Sequence, residues 1–103
     1  MLRPLPSELV LFGRVLSALP VRDQRLAAKQ ILHETSLAAA YRQARCMVHP
    51  AFGDGSLAAR LVHLSMPPLT YGDSPEFLSG LQIAAQAILI HTCCETRSEV
   101  HNP

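Results

Sequence analysis

The chain has 103 residues, of which 49% are hydrophobic, and its formal net charge at pH 7 is +1. A charge this close to neutral argues against a nucleic-acid-binding domain, which would be clearly basic, and against an acidic tail or an electrostatic membrane anchor. The length suits a single domain, and because aromatic residues make up only 5% of the chain, we expect a core of Leu, Ala, Ile and Val.

Two helices are predicted in the first half of the chain. Pro6-Ser7-Glu8 supplies a cap and an acidic first turn for a helix over residues 7–19, and Pro20 ends that helix. Pro20 can also serve as the first residue of a second helix, over residues 20–46, because the N–H that proline lacks is not needed there.

Two further helices are predicted in the second half. Ser56 begins a short helix over residues 56–65, which the following Pro-Pro pair ends. Ser74-Pro75-Glu76 combines a cap, a proline at the first helical position and a carboxylate near the positive end of the helix dipole. It begins a helix over residues 74–95, followed by a polar tail over residues 96–103.

These elements predict an all-α fold, since no strand-like alternation of useful length appears. The last helix is apolar on nearly all sides, which is typical of a helix buried at the centre of a bundle. We therefore expect a compact bundle of about four helices around this C-terminal helix, in one domain spanning residues 1–103.

The cysteines and the apolar stretches indicate the compartment. Cys46, Cys93 and Cys94 form neither a CxxC pair nor an even framework, so we expect reduced, buried cysteines, with Cys93 and Cys94 at least partly packed against the bundle. The N-terminus is not typical of a secretory signal, because Glu8 precedes its apolar part and Arg14 interrupts it. The stretch LQIAAQAILI is too short and too polar to span a bilayer. A soluble, cytoplasmic protein without membrane association is predicted.

Basic residues on the second helix form no continuous nucleic-acid face. Arg22, Arg25 and Lys29 make one basic stripe, whereas Arg42 and Arg45 point roughly the opposite way on a straight helix. The stripe could contact an acidic partner, but an ordinary solvated face is the simpler interpretation.

Two stretches, FGDGSLAARL from Phe52 and YGDSPEFLSGL from Tyr71, carry an aromatic residue, glycine and aspartate close before a serine. Asp and Ser are common helix caps because their oxygens accept the N–H groups of the first turn, and glycine permits a positive φ. The simpler interpretation is therefore that Ser56 and Ser74 are helix caps and not nucleophiles. It explains every residue of the two stretches and leaves only His49 without a role.

The same loops could instead form a ligand or partner site. Two helix N-termini brought together would make a positively polarised pocket for a phosphate or carboxylate, to which His49 could add a donor. Two aspartates bring negative charge to the same place, and the glycine pattern is neither GxGxxG nor a P-loop, which argues against an anion. The candidate residues, in loops 49–56 and 70–76, are His49, Phe52, Asp54, Ser56, Tyr71, Asp73 and Ser74.

No catalytic or metal signature is present, and no cofactor is expected. His91, Cys94 and Glu95 share one face of the last helix, but no fourth ligand stands at motif spacing. The GxSxG motif of a nucleophile elbow is absent. An enzyme that uses His49 with Asp54 as an acid–base pair is the weakest alternative, because it would also need a concave site.

The strings AYRQARCMVHPAFGDGSLAARL and PPLTYGDSPEFLSGLQIAAQAIL carry a family resemblance. They resemble a family of small, uncharacterised alphaproteobacterial proteins in which Tyr-Arg precedes His-Pro, an aromatic residue and Gly-Asp-Gly-Ser-Leu. In that family Trp often stands where this chain has Phe52. The resemblance implies a shared all-α fold and a cytoplasmic location, and it implies no activity.

A non-enzymatic protein acting through protein–protein contact, as a homodimer, is the predicted function. The last helix offers few polar residues between Phe77 and Ile90, and the first helix has only a narrow polar edge. A small bundle can shield one such helix but hardly two, and large exposed apolar patches usually mark interfaces. The alternative is a small-molecule or anion-binding regulator that uses the two loops.

Overall fold

The computed structural model describes residues 4–62, 64 and 72–101, with the backbone alone from residue 94 onward. It contains four α-helices, α1 (Pro6–Ser17), α2 (Val21–Arg45), α3 (Leu57–Leu61) and α4 (Pro75–His101). Within these residues no strand occurs beyond an isolated bridge between His49 and Gly53. The predicted all-α bundle of four helices is confirmed.

The helices begin within one residue of their predicted starts. Their C-terminal ends agree less well, because α3 ends at Leu61, before its predicted end at residue 65. At the end of α1, the N–H groups of Ala18 and Leu19 donate hydrogen bonds to the carbonyls three residues earlier, at 3.2 and 3.0 Å. Pro20 is extended, with ψ of 142°, and precedes α2 as its cap position. The backbone of α4 remains helical to His101, where the sequence predicts an end at residue 95 and a polar tail.

The core lies where α1, α2 and α4 meet, and α3 packs against α1 and α2. The buried residues of α1 lie at intervals of three and four along one face, as the helical period requires of a helix lying on a bundle, and they are Glu8, Phe12, Gly13, Val15 and Leu16. The core consists mainly of aliphatic side chains, with one aromatic ring: Phe12, Val15, Leu16, Ala28, Ile31, Leu32, Leu57, Leu61, Ile83 and Ala84.

The backbones of α1 and α4 approach each other closely at two glycines. A Cβ placed on Gly80 would lie 2.6 Å from the carbonyl oxygen of Gly13, and a Cβ on Gly13 would lie 3.0 Å from Cα of Leu81. A methyl group on Gly80 would force the two backbones apart, whereas one on Gly13 would require α4 to move by a few tenths of an ångström. The crossing of α1 and α4 therefore depends most on Gly80.

The helix α4 contacts both α1 and α2, as expected of a central element. It is nevertheless enclosed on one side only, whereas its apolar sequence predicts burial on nearly all sides. Leu78, Leu89 and Ile90 are 46%, 70% and 65% exposed. We call Leu78, Gln82, Ala85 and Leu89 the outer stripe of α4, because their spacing of four, three and four residues places them along one face.

Two cysteines differ from expectation. Cys46 and Cys93 are unpaired and exposed, so the prediction that they are buried is wrong. Cys46 is the C-cap of α2 and adopts the left-handed conformation, with φ of 56°. Cys93 lies on an exposed part of α4, and the side chain of Cys94 lies outside the residues described.

Over the described residues, no helix has the length and hydropathy needed to cross a membrane.

Candidate functional site

The segment from His49 to Gly53 folds into a tight loop around the imidazole of His49. The N–H of His49 donates to the carbonyl of Gly53 at 2.9 Å, and the N–H of Gly53 donates back at 3.2 Å. Inside this closure, Nδ1 of His49 accepts hydrogen bonds from the N–H groups of Ala51 and Phe52 at 3.0 and 3.1 Å. Helix capping gives His49 no role, but the structure does: its Nδ1 is the hydrogen-bond acceptor for two backbone N–H groups of its own loop.

Aromatic and basic side chains stack on both sides of the same imidazole. The ring of Phe52 lies parallel to it at 4.7 Å between centroids, and the ring of Tyr41 meets it edge-on at 4.9 Å. Arg60 and Arg45 cover the outer rings of Phe52 and Tyr41, each at 5.5 Å from guanidinium carbon to ring centroid. The stack ties the loop to α2 through Tyr41 and Arg45 and to α3 through Arg60.

An ion pair joins α2 and α3 behind this stack. The Nη2 and Nε atoms of Arg60 lie 2.6 and 2.8 Å from Oε1 of Glu34. The side chains are only 16% and 14% exposed. Two short contacts from one guanidinium, sheltered from solvent, are stronger and more specific than an ordinary surface ion pair. Sequence analysis gave no role to either residue.

Asp54 shapes the turn into α3. Its Oδ1 accepts a hydrogen bond from the N–H of Ser56 at 2.9 Å, and its Oδ2 lies 3.8 Å from Nη1 of Arg42. Hydrogen bonds from the Ser56 side chain and backbone, with a smaller contribution from Arg42, hold the pKa of this carboxyl below its usual 3.8. Gly55, with φ of +97°, places its backbone so close to α2 that a Cβ would lie 2.7 Å from Cα of Ala39.

The amides at the start of α3 are occupied by the protein's own oxygens. Oγ of Ser56 accepts from the N–H of Ala59 at 3.2 Å, which confirms Ser56 as the helix cap. Oε2 of Glu8 accepts from the N–H of Ala58 at 2.7 Å. The other oxygen of the same carboxylate accepts from the N–H of Leu5 at 2.8 Å, at the start of α1. Glu8 therefore caps two helices, and it fills the position that an anion would need.

The second loop is described only from Gly72. The N–H of Phe77 donates to Oγ of Ser74 at 3.5 Å, and that of Leu78 donates to the Ser74 carbonyl at 2.9 Å, so the predicted cap of α4 is confirmed. The Ser74 hydroxyl donates to the carboxylate of Glu76 at 3.0 Å. Hydrogen bonding to its own backbone N–H, and then to Ser74, holds the pKa of Glu76 below its usual value.

The remaining candidate residues of the second loop do not add to this picture. Asp73 is exposed, and Tyr71 lies outside the residues that the structure describes. The contact between the two loops that a shared ligand site would require therefore falls on residues outside those described.

Two further hypotheses concern an acid–base pair and a metal site, and in the described part of the chain neither group of side chains is assembled. His49 and Asp54 each bond to backbone N–H groups of the loop segment. Among the residues described, no three His, Cys, Asp or Glu side chains lie together as metal ligands would. The side chains of Cys94 and Glu95, predicted to share a face with His91, are not among those described.

Comparison with known proteins gives one result. A family model described as a domain of unknown function, DUF7742, matches residues 3–88 of the chain. No curated protein and no solved structure matches it. The resemblance to a family of uncharacterised proteins is confirmed. The alphaproteobacterial source and the signature HPx(F/W)GDGSL stay predictions.

Proposed function

The chain belongs to the DUF7742 family of domains of unknown function, and from its own surface we propose that it acts without catalysis, through protein–protein contact, as a homodimer. The observation that carries the proposal is the exposure of the outer stripe of α4. We place the dimer interface on that stripe.

The composition of this face supports an interface. No residue from Phe77 to Ile90 carries a formal charge. Leu78 and Leu89 are 46% and 70% exposed. Leu89 follows Leu78 by eleven positions, which is roughly 16 Å along the helix axis. An uncharged, leucine-containing face of this length on a protein surface usually marks an interface.

The spacing of the outer stripe favours a second copy as the partner. Intervals of four, three and four residues are those of the seam between two helices of a coiled coil. Such a stripe packs against an identical one across a two-fold axis, which is the commonest symmetry of homo-oligomers. Gln82 is the polar residue in this stripe, and a polar residue in such a seam fixes register at some cost in stability.

The other apolar helix supplies much less free surface. Phe12, Val15 and Leu16 of α1 are buried in the core, and Val10 is 44% exposed. The bundle thus shields α1 well and leaves the apolar surplus on α4, which is why we assign the interface to α4.

Light scattering coupled to size exclusion tests the dimer. We expect a mass near twice the chain mass of 11.2 kDa at micromolar concentration, and a shift toward the monomer in Leu89→Glu. The matched control is Leu26→Glu, because Leu26 on α2 is 71% exposed and lies off the stripe. A monomer that persists at high micromolar concentration, or equal effects of the two substitutions, would refute the proposal.

The alternative of a small-molecule or anion-binding regulator that uses loops 49–56 and 70–76 receives less support. Ser56 and Glu8 already accept hydrogen bonds from the first-turn amides of α3. A phosphate or carboxylate there would have to displace a buried carboxylate that also caps α1.

We also propose a cytoplasmic location and a single domain over residues 1–103. Two exposed thiols, those of Cys46 and Cys93, are unpaired, which suits a reducing compartment.

A further inference from the structure

A groove between α2 and α4 combines an apolar floor with a basic rim. Its volume is about 490 Å³, within the range of small-molecule sites. The apolar residues in it are Leu32 of α2 and Ile83, Ala87 and Ile90 of α4. The polar residues in it are Arg25, Lys29, His33, Gln86 and His91.

The charged side chains described on the rim of the groove are all basic. Arg25, Lys29 and His33 follow one another at intervals of four residues and so stand in a row along α2. Of the groove-lining residues whose side chains are described, none is acidic. Glu34, the next acidic residue on α2, is paired with Arg60 of α3.

The far wall of the groove is held in place by a contact between the two helices. The Ser36 hydroxyl of α2 and Nε2 of His91 lie 2.9 Å apart and are hydrogen-bonded. This contact joins α2 and α4 next to the groove, so the groove has fixed walls on both helices.

We propose that this groove binds a small amphiphile with one carboxylate and an unbranched hydrocarbon chain, of the class of medium-chain fatty acids. The floor would bury the chain, and the guanidinium of Arg25 with the ammonium of Lys29 would hold the carboxylate by charge-assisted hydrogen bonds. A cationic or neutral head would lose this attraction, and a carboxylate without a chain would leave the floor empty.

The groove is separate from the proposed dimer interface. Successive helix residues are about 100° apart, so Ile83, Ala87 and Ile90 face the groove while Ala85 and Leu89 lie on the outer stripe. The ligand proposal therefore does not depend on the dimer, and each can fail alone.

Titration calorimetry with decanoate, below the concentration at which it forms micelles, tests the proposal. We expect saturable binding of one decanoate per chain, weaker binding of decanol and none of acetate. Octanoate should bind about fourfold more weakly per missing methylene, up to the length that the groove accommodates.

Charge removal provides the matched variants. Arg25→Gln combined with Lys29→Gln should weaken decanoate binding about tenfold or more, the size expected when a charge-assisted contact is lost. Arg22→Gln is the control, because Arg22 is an exposed cation of the same helix that does not line the groove. Because all three residues are exposed, we expect these variants to fold, and thermal denaturation checks this.

Several outcomes would overturn the proposal. They are the absence of saturable decanoate binding, equal binding of decanol and decanoate, and equal loss in the double variant and the Arg22→Gln control. If the groove instead accepts an acidic helix of another protein, decanoate would show no saturable binding.

Discussion

Gly80 of α4 lies directly against Gly13 of α1, with room for no side-chain atom between their backbones. Glycine inside a helix costs about 1 kcal/mol relative to alanine. Both α1 and α4 carry this cost where their backbones approach each other. In exchange, the two helices pack more closely than a larger side chain would allow. The crossing in turn sets how far α4 leans toward α1 and which of its residues face outward.

Gly80→Ala should destabilise the protein by about 2 kcal/mol, because the new methyl group would have to push α1 away. Alanine is the better helix former, so the sign of the change separates packing from propensity. Urea denaturation measures the difference. The control is Gly72→Ala, since a Cβ there would meet nothing within 4 Å. Stabilisation by Gly80→Ala would contradict the close crossing.

Glu8→Gln should cost about 2 kcal/mol of unfolding free energy. The carboxylate accepts from one N–H with each oxygen, whereas an amide would turn its NH₂ toward one of these donors and leave it unsatisfied. Denaturation in urea at neutral pH measures the loss. Asp23→Asn, at an exposed carboxylate in the first turn of α2, controls for the change in net charge. Equal losses in the two variants would show that Glu8 acts through charge alone.

His49→Ala should loosen the loop and cost about 1 kcal/mol, because two backbone N–H groups lose their acceptor and the aromatic stack loses its middle ring. Trypsin should then cleave after Arg45 faster than in the unmodified protein. His33→Ala, on the exposed side of α2, is the control. An unchanged cleavage rate would mean that Gly53 and Gly55 set the loop conformation without the imidazole.

The stability contributed by Asp54 should depend on acid pH. Its pKa is lowered in the folded protein, so the folded state binds the proton more weakly than the unfolded chain does. The contribution is complete above the usual value of 3.8 and is lost as the pH falls through the lower folded value. The stability gap between the unmodified protein and Asp54→Asn should therefore be present at pH 6 and vanish toward the acid limit.

The gap should be modest, and salt should reduce it, because the Asp54 side chain is 43% exposed. A gap that widens as the pH falls below 3.8 would contradict the assigned direction.

Sequence analysis could predict what local patterns determine. Ser56 and Ser74 lie just before their helices because a hydroxyl accepts first-turn amides, and this rule needs no knowledge of the rest of the fold. Gly55 is likewise needed where the chain turns back toward α2 with positive φ.

Contacts between distant residues could not be predicted in this way. From the sequence, Glu8 is an ordinary acidic residue in the first turn of α1. In the structure, its Oε2 also accepts a hydrogen bond from the N–H of Ala58. From the sequence, Arg60 is a surface cation. In the structure, it forms an ion pair with Glu34, and its guanidinium lies over the ring of Phe52. The cysteines were misjudged for a related reason, since hydrophobic character alone does not show which side of a helix meets the bundle.

The double cap formed by Glu8 has a consequence for the order of folding. A helix of five residues is far too short to persist alone in water, and one of its amides is satisfied by a side chain 50 positions earlier. The α3 helix should therefore form only after α1 is in place, as a late step. In the native state, fraying of the first turn of α1 should weaken the first turn of α3, because the Ala58 N–H would lose its acceptor. The starts of the two helices are thus coupled, although half of the chain separates them.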